Sequence, residues 1–154
     1  TQTECVKGYC ASNYKCGNQR MQRGVHADLS LAYLPGKGIS LMAAMPIERD
    51  SLIIQYVGEV ISRAMYLERE KKVTYYETQC SPHSYGLAVN SNEVIDARFV
   101  GGIGRFANHI CSPNCIVERW EVAGETCCGI FAKNSIGEGE EVTIKYGRAF
   151  VQAE

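Results

Sequence analysis

Apolar and polar positions change rhythm several times along this chain, and each change predicts an element. In LAYLPGKGISLMAAMPIERDSLIIQYVGEVIS, residues 31–62, short apolar runs predict two or three strands. One lies near Ile39 to Ala44 and another over Leu52 to Val60, with Pro35, Gly36 and Gly38 punctuating the approach. Ser62 then offers an N-cap to SRAMYLEREKKVTYYETQ, where Glu68 and Lys72 form an i,i+4 pair in the favourable order. A helix is expected there, fraying before Cys80. SYGLAVNSNEVIDA (84–97) predicts a hairpin turning at Asn90 to Asn92, and CIVERWEVAGETCCGIFA (115–132) another turning at Ala123-Gly124. GEGEEVTIKY (137–146) supplies a turn and a short strand. Short strands dominate, with one clear helix and no βαβ alternation, so the expected fold is mainly β.

One segment has no rhythm. RFANHICSPNC, residues 105–115, does not alternate, and Pro113 removes a ladder donor while restricting Ser112 to extended conformations. It reads as a loop or a tight crossing of the chain. Three chemistries compete for it: a metal site, a Cys-His nucleophile pair, and a polar knot in which side-chain amides satisfy backbone groups. The nucleophile pair is poorly placed, because His109 and Cys111, two apart on an extended segment, point to opposite faces.

The first 24 residues, TQTECVKGYCASNYKCGNQRMQRG, are polar and cysteine-bearing, as expected where a metal stands in for a hydrophobic core. The eight cysteines, about 5% of the chain, fall below the density of disulfide scaffolds and are clustered, which favours zinc and reduced thiols. No signal or transit sequence opens the chain, so a reducing compartment is the expectation. Cys5, Cys10 and Cys16 offer three thiolates, whereas a closed zinc site wants four ligands. Cys115, Cys127 and Cys128 read as small hydrophobes.

Length and charge narrow the class. At 154 residues the chain fits one domain with a core of its own. Hydrophobic residues at 45% and charged residues at 21% are ordinary for a soluble protein, and no run approaches the roughly 18 apolar residues of a membrane span. A net charge of −1 argues against a domain that holds nucleic acid by charge alone and leaves a local basic patch open.

Four stretches in order, GKGISL (36–41), YVGEVIS (56–62), RFANHICSPNC (105–115) and GEEVTIKY (139–146), resemble the SET domain of protein lysine methyltransferases, with EVIDA preceding the third. The resemblance covers about residues 25–147. The start, ECVKGYC, then Cys16 and NQRMQ, resembles the second half of the AWS zinc module that precedes SET domains of the histone H3 lysine-36 type. Residues 148–154 then stand where a post-SET tail would begin, without cysteines. The resemblance implies small curved sheets with a C-terminal pseudoknot formed by the 105–115 and 141–146 segments, the polar-knot reading.

It also implies a function: methyl transfer from S-adenosylmethionine to a histone H3 lysine, lysine-36 before lysine-4. A degenerate SET domain that binds a histone or partner without turnover is the alternative. Tyr146 matches the catalytic tyrosine, while Tyr85 and Tyr56 match positions near the cofactor and the lysine channel. Lys37, Gly38, Ile39, Tyr85, Arg105, Phe106, Asn108 and His109 match the cofactor-binding segments. Cys5, Cys10, Cys16 and Cys111 match zinc ligands, Cys111 with post-SET cysteines in relatives. Taken singly, each tyrosine reads first as core, and Arg105 as readily as a surface ion pair. The implied partners are a histone H3 tail or nucleosome and chromatin-complex subunits in the nucleus, with nucleic acid met only through the nucleosome and no membrane.

The sequence also departs from the family pattern. Ser40 replaces a glycine, Ile110 a serine, Gly102 an asparagine and Lys145 an acidic residue, while Ile144 stands where relatives carry Phe or Tyr. Product multiplicity is therefore left open, as is the role of Glu59.

Overall fold

The computed structural model describes residues 2–76, 85–147 and 150–151 and, for residues 74–76, the backbone alone. The architecture is mainly β, as expected: four small sheets and one α-helix among the described residues. Strands β1 (Leu29–Leu34) and β2 (Gly38–Ala43) form an antiparallel hairpin. β3 (Leu52–Tyr56) lies at one edge of a sheet completed by the hairpin of β8 (Cys115–Val122) and β9 (Glu125–Ala132), in the order β3-β9-β8. β4 (Gly58–Ser62), β5 (Gly86–Ala88) and β6 (Glu93–Gly101) form a third sheet, with β6 central. Two short segments, β7 (Asn108–His109) and β10 (Thr143–Ile144), pair in parallel.

The expected strand over residues 52–60 is two strands in two sheets. Tyr56 is buried against the β9 sheet, Val57 is exposed, and at Gly58 the chain crosses to β6. Glycine permits that crossing, since a Cβ at residue 58 would sit 2.6 Å from the Asp96 carbonyl oxygen. An unbroken apolar run cannot announce such a break, because both halves bury side chains.

The helix follows its cap. The Ser62 hydroxyl accepts the Met65 amide at 3.2 Å, and α1 (Arg63–Tyr76) begins at the next residue. Glu68 and Lys72 pair at 3.1 Å on its exposed face. The expected fraying before Cys80, and Cys80 itself, lie outside the described residues. The β8–β9 turn has positive φ at both Ala123 (51°) and Gly124 (85°), the geometry that matches strand twist in a two-residue hairpin loop.

The main core joins all four sheets and includes Leu41, Ile53, Leu87, Ile95, Ile130 and Ile144. The first 24 residues have a seat of their own. Met21 packs with Leu52, Val122 and Phe131, and Arg20 lies over the rings of Trp120 and Phe131. The segment is thus docked by apolar contact and by the stacking of Arg20. No helix among the described residues is long and apolar enough to cross a membrane.

Candidate active site

The rhythm-less segment is a crossing of the chain. Residues 108–109 pair with 143–144, and the Ile110 amide continues the contact to the Ile144 carbonyl at 3.1 Å. Asn114 closes it from the far side. Its Oδ1 accepts the Thr143 amide at 2.9 Å and the Thr143 hydroxyl at 3.1 Å, while its Nδ2 donates to the Glu141 carbonyl at 2.8 Å. One amide side chain thereby does for two strands what a wider ladder would otherwise do.

Asn108 is buried and its Nδ2 donates both hydrogens, to Ser40 Oγ and to Glu141 Oε1, each at 2.7 Å. Glu141 also pairs with Lys37 at 2.5 Å. Ser40, which replaces a glycine of the family pattern, therefore supplies an acceptor, and Glu141 ties three segments together. Neither role was legible beforehand, because partners separated by 68 positions for Ser40, and by 33 and 104 for Glu141, leave no local signature.

Beside this crossing lies a cavity of about 150 Å³ lined by Ile39, Tyr85, Arg105, Phe106 and Asn108. All five are among the expected cofactor residues. Lys37, Gly38 and His109 are not in the lining. Lys37 reaches the cavity only through Glu141 and Asn108. Exposed His109 accepts the Tyr146 amide at Nδ1, at 3.0 Å, which places its own hydrogen on Nε2 whenever the ring is neutral. Arg105 stacks over Phe106 and donates to the Ala97 carbonyl at 3.3 Å, contacts that brace the loop, and it forms no ion pair among the described residues.

The three expected tyrosines gather next to the cavity. The Tyr146 hydroxyl donates to the Ala107 carbonyl at 3.1 Å, between two lining residues. Tyr56 donates to the Tyr85 carbonyl at 2.9 Å. Burial pushes the Tyr146 phenol up to about 12, with the nearby Tyr85 adding to it, and burial raises Tyr56 further still. Both phenols therefore stay protonated at neutral pH. A residue not anticipated joins them: Phe150, its ring centroid 4.5 Å from that of Tyr146 and 5.8 Å from that of Tyr56, the latter in an edge-on arrangement. As the lone aromatic of residues 148–154 it was the available signal.

The thiol atoms of Cys5, Cys10 and Cys16 lie within 4.8 Å of one another. Three converging soft donors fit three of the four positions of tetrahedral zinc. Cys111 is exposed and belongs to no such group among the described residues. Cys115 and Cys128 are fully buried, and burial drives both thiols upward, Cys115 to about 12 and Cys128 to about 11, as befits small hydrophobes.

A cavity of this size holds only part of an adenosyl cofactor, whose sites usually measure roughly 300–1,000 Å³, so the remainder of such a ligand would lie in the open mouth. Its lining fits the class nonetheless, with aromatic faces for an apolar or cationic group and polar loop residues for the rest.

Comparison with known proteins bears on this arrangement. Residues 38–147 match the family model described as "SET domain". The chain is similar to "Histone-lysine N-methyltransferase, H3 lysine-36 specific" of Mycosarcoma maydis, 38% identical over 146 residues, covering 95% of this chain and 15% of that protein. It is similar also to "Histone-lysine N-methyltransferase ASHH1" of Arabidopsis thaliana, 40% identical over 146 residues, covering 95% of this chain and 29% of that one. The chain thus spans less than a third of either relative. Among solved structures, "ctPRC2 in an autoinhibited conformation bound to S-adenosylmethionine" superposes with a TM-score of 0.85 at 26% identity, covering 98% of this chain and 21% of that chain.

Proposed function

Because the chain belongs to the SET-domain family, we propose that it carries the catalytic domain of a histone-lysine N-methyltransferase that uses S-adenosylmethionine, with histone H3 lysine-36 as its target. Residues 25–147 form the catalytic unit, residues 1–24 an AWS-like zinc segment, and residues 148–154 the start of a post-SET tail. The observation that carries this reading is the Tyr146 hydroxyl on the Ala107 carbonyl, between Phe106 and Asn108 of the cavity lining. The H3 lysine-36 names of similar proteins and the cysteine-bearing start support the choice of lysine. Nucleosomes as substrate, chromatin-complex subunits as partners and the nucleus as location follow from the same reading.

When bound, S-adenosylmethionine supplies an activated methyl group on a sulfonium. This chain's part is to hold the two reactants in line and keep water out. Ile39, Tyr85, Arg105, Phe106 and Asn108 would hold the cofactor, with Lys37, Gly38 and His109 supporting the loops behind them. Tyr56, Tyr146 and Phe150 would wall the approach of the lysine. Both phenols are held protonated, so neither serves as a general base at neutral pH. The substrate amine therefore gives up its proton to water on entering the aromatic approach. The Tyr146 hydroxyl, fixed by Ala107, then accepts a hydrogen bond from one of the two remaining N–H groups and aims the lone pair. Cys5, Cys10 and Cys16 would hold a structural zinc that has no part in the transfer.

The test is methyl incorporation into nucleosomes from labelled S-adenosylmethionine, with Tyr146→Phe alongside. The variant should lose on the order of 10²-fold in rate with little change in cofactor affinity. Equal incorporation by both proteins would remove Tyr146 from the mechanism. Nucleosomes whose histone H3 has methionine in place of lysine-36 should accept no label. Loss of label only when methionine replaces lysine-4 of the histone would move the target to that lysine.

A further inference from the structure

Among the described residues none of α1 lines the cavity, yet α1 grips the backbone behind one wall of it from two points. The first grip is ionic. Arg69 Nη1 donates to Glu59 Oε2 at 2.8 Å and to Asp96 Oδ2 at 3.1 Å, and its Nη2 donates to Glu59 Oε1 at 3.2 Å. Glu59 and Asp96 are register partners on β4 and β6, so two carboxylates stand side by side across the ladder. Directly opposed like charges destabilise a strand pair, and Asp96 is only 1% exposed, so the pairing depends on a cation delivered from α1. Arg69 provides it as a planar fork, which a lysine cannot copy. The neighbouring Glu70 pairs with Arg98 of β6 and strengthens the same contact.

The second grip is steric. Tyr66, one turn before Arg69, is fully buried, and a Cβ at Gly86 would lie 2.2 Å from its Cζ. The ring therefore lies flush on the backbone of residue 86, next to Tyr85. The two grips meet on one backbone unit, because Gly86 is the register partner of Asp96, and the Ala97 amide donates to the Tyr85 carbonyl at 3.2 Å. That same carbonyl accepts the Tyr56 hydroxyl, and the Ala97 carbonyl accepts Arg105. Residues 85, 86, 96 and 97 thus carry the cavity and the tyrosine cluster on one side and α1 on the other.

We infer that Arg69 is a positioning residue: acting through Asp96 and the Gly86 backbone, it fixes Tyr85 at the wall of the cavity, an inference that rests on reading that cavity as the adenosyl site. Its reach extends to Tyr56 and Arg105 through the two carbonyls. Removing the fork leaves Asp96 buried beside Glu59 without its cation, and the strand pair relaxes by turning Asp96, and with it residues 85 and 86, toward solvent.

The experiment compares Arg69→Met and Arg69→Lys with Arg20→Met in the full chain. Arg20 stacks on Trp120 and Phe131 in a separate apolar cluster, so its loss lowers stability without touching the cavity. Two readings are taken well below every melting transition. One is the ring resonance of Tyr85 in protein with labelled tyrosine and no cofactor, assigned with Tyr85→Phe. The other is the dissociation constant for S-adenosylhomocysteine by calorimetry. Arg69→Met should shift and broaden the Tyr85 signal and weaken binding about tenfold, Arg69→Lys should recover part of each, and Arg20→Met should change neither. An unmoved Tyr85 signal in Arg69→Met, or the same changes in Arg20→Met, overturns the inference. Should Arg69→Met not fold, Arg69→Lys decides by the same two readings. If the unaltered chain binds no S-adenosylhomocysteine, the adenosyl reading fails instead, and the Tyr85 signal still decides whether Arg69 positions the wall.

Discussion

Residues 105–115 and residues 2–24 are both poor in apolar side chains, and they are ordered by different chemistry. In the crossing, Asn108 and Asn114 carry the order. Each amide finds partners inside the protein, so the crossing is closed by the polypeptide's own groups. In the N-terminal segment the organising groups are a carboxylate and three thiols. Buried Glu4 accepts the Met21 amide at 2.7 Å and two N–H groups of Gln22 at 3.2 and 3.3 Å. The thiols converge but gain little from one another, since sulfur is a weak donor and acceptor. The difference teaches where dependence on a ligand resides: the amide knot is closed by the polypeptide's own groups, and the thiol cluster leaves three converging donors that a metal would complete.

The sharpest way to break that comparison is Asn114→Ala. It orphans the Thr143 amide and the Glu141 carbonyl together and should cost about 4 kcal/mol, read by urea denaturation. A loss below about 1 kcal/mol would show that the crossing is held by packing alone. Glu4→Ala should cost about 2 kcal/mol, because charge-assisted bonds are lost in a smaller seat.

Chelation of zinc should leave the crossing intact and loosen only the first 24 residues. The global cost is about 1 kcal/mol, with new protease cuts confined to that segment. Cuts within residues 105–115 on chelation would erase the distinction between the regions.

The smallest effect is in acid. The hydrogen bonds from Arg69, with its charge, hold the Glu59 carboxyl below its ordinary range. The stability this pairing contributes is present above the ordinary glutamate pKa and is lost as pH falls through the lowered native value. Arg69→Met should flatten that limb of the stability curve, read as the pH dependence of urea denaturation.

Much of the fold could be read from the chain because hairpins and capped helices are local events. The Ala123-Gly124 turn and the Ser62 cap lie where the sequence puts them. The candidate site was legible in a different sense. Tyr56, Tyr85 and Tyr146 came from motif order and not from the local pattern, which reads each of them first as core, and the structure does bury all three wholly or in part. What stayed hidden were long-range partners. Ser40 looked like a departure and is an acceptor for Asn108, and Glu59 was left without a role and belongs to an ion-pair cluster with Arg69 and Asp96. Such roles arise from register between strands far apart in sequence, which no window along the chain can sample.

The crossing at Gly58 has a mechanical consequence. Tyr56 belongs to one sheet and Glu59 to another, with only Val57 and a glycine between them. The seam is short enough that a twist imposed on the helix-bearing sheet has almost no slack to absorb it before it arrives at a phenol of the aromatic cluster. In this molecule the joint between two sheets works as a stiff coupling.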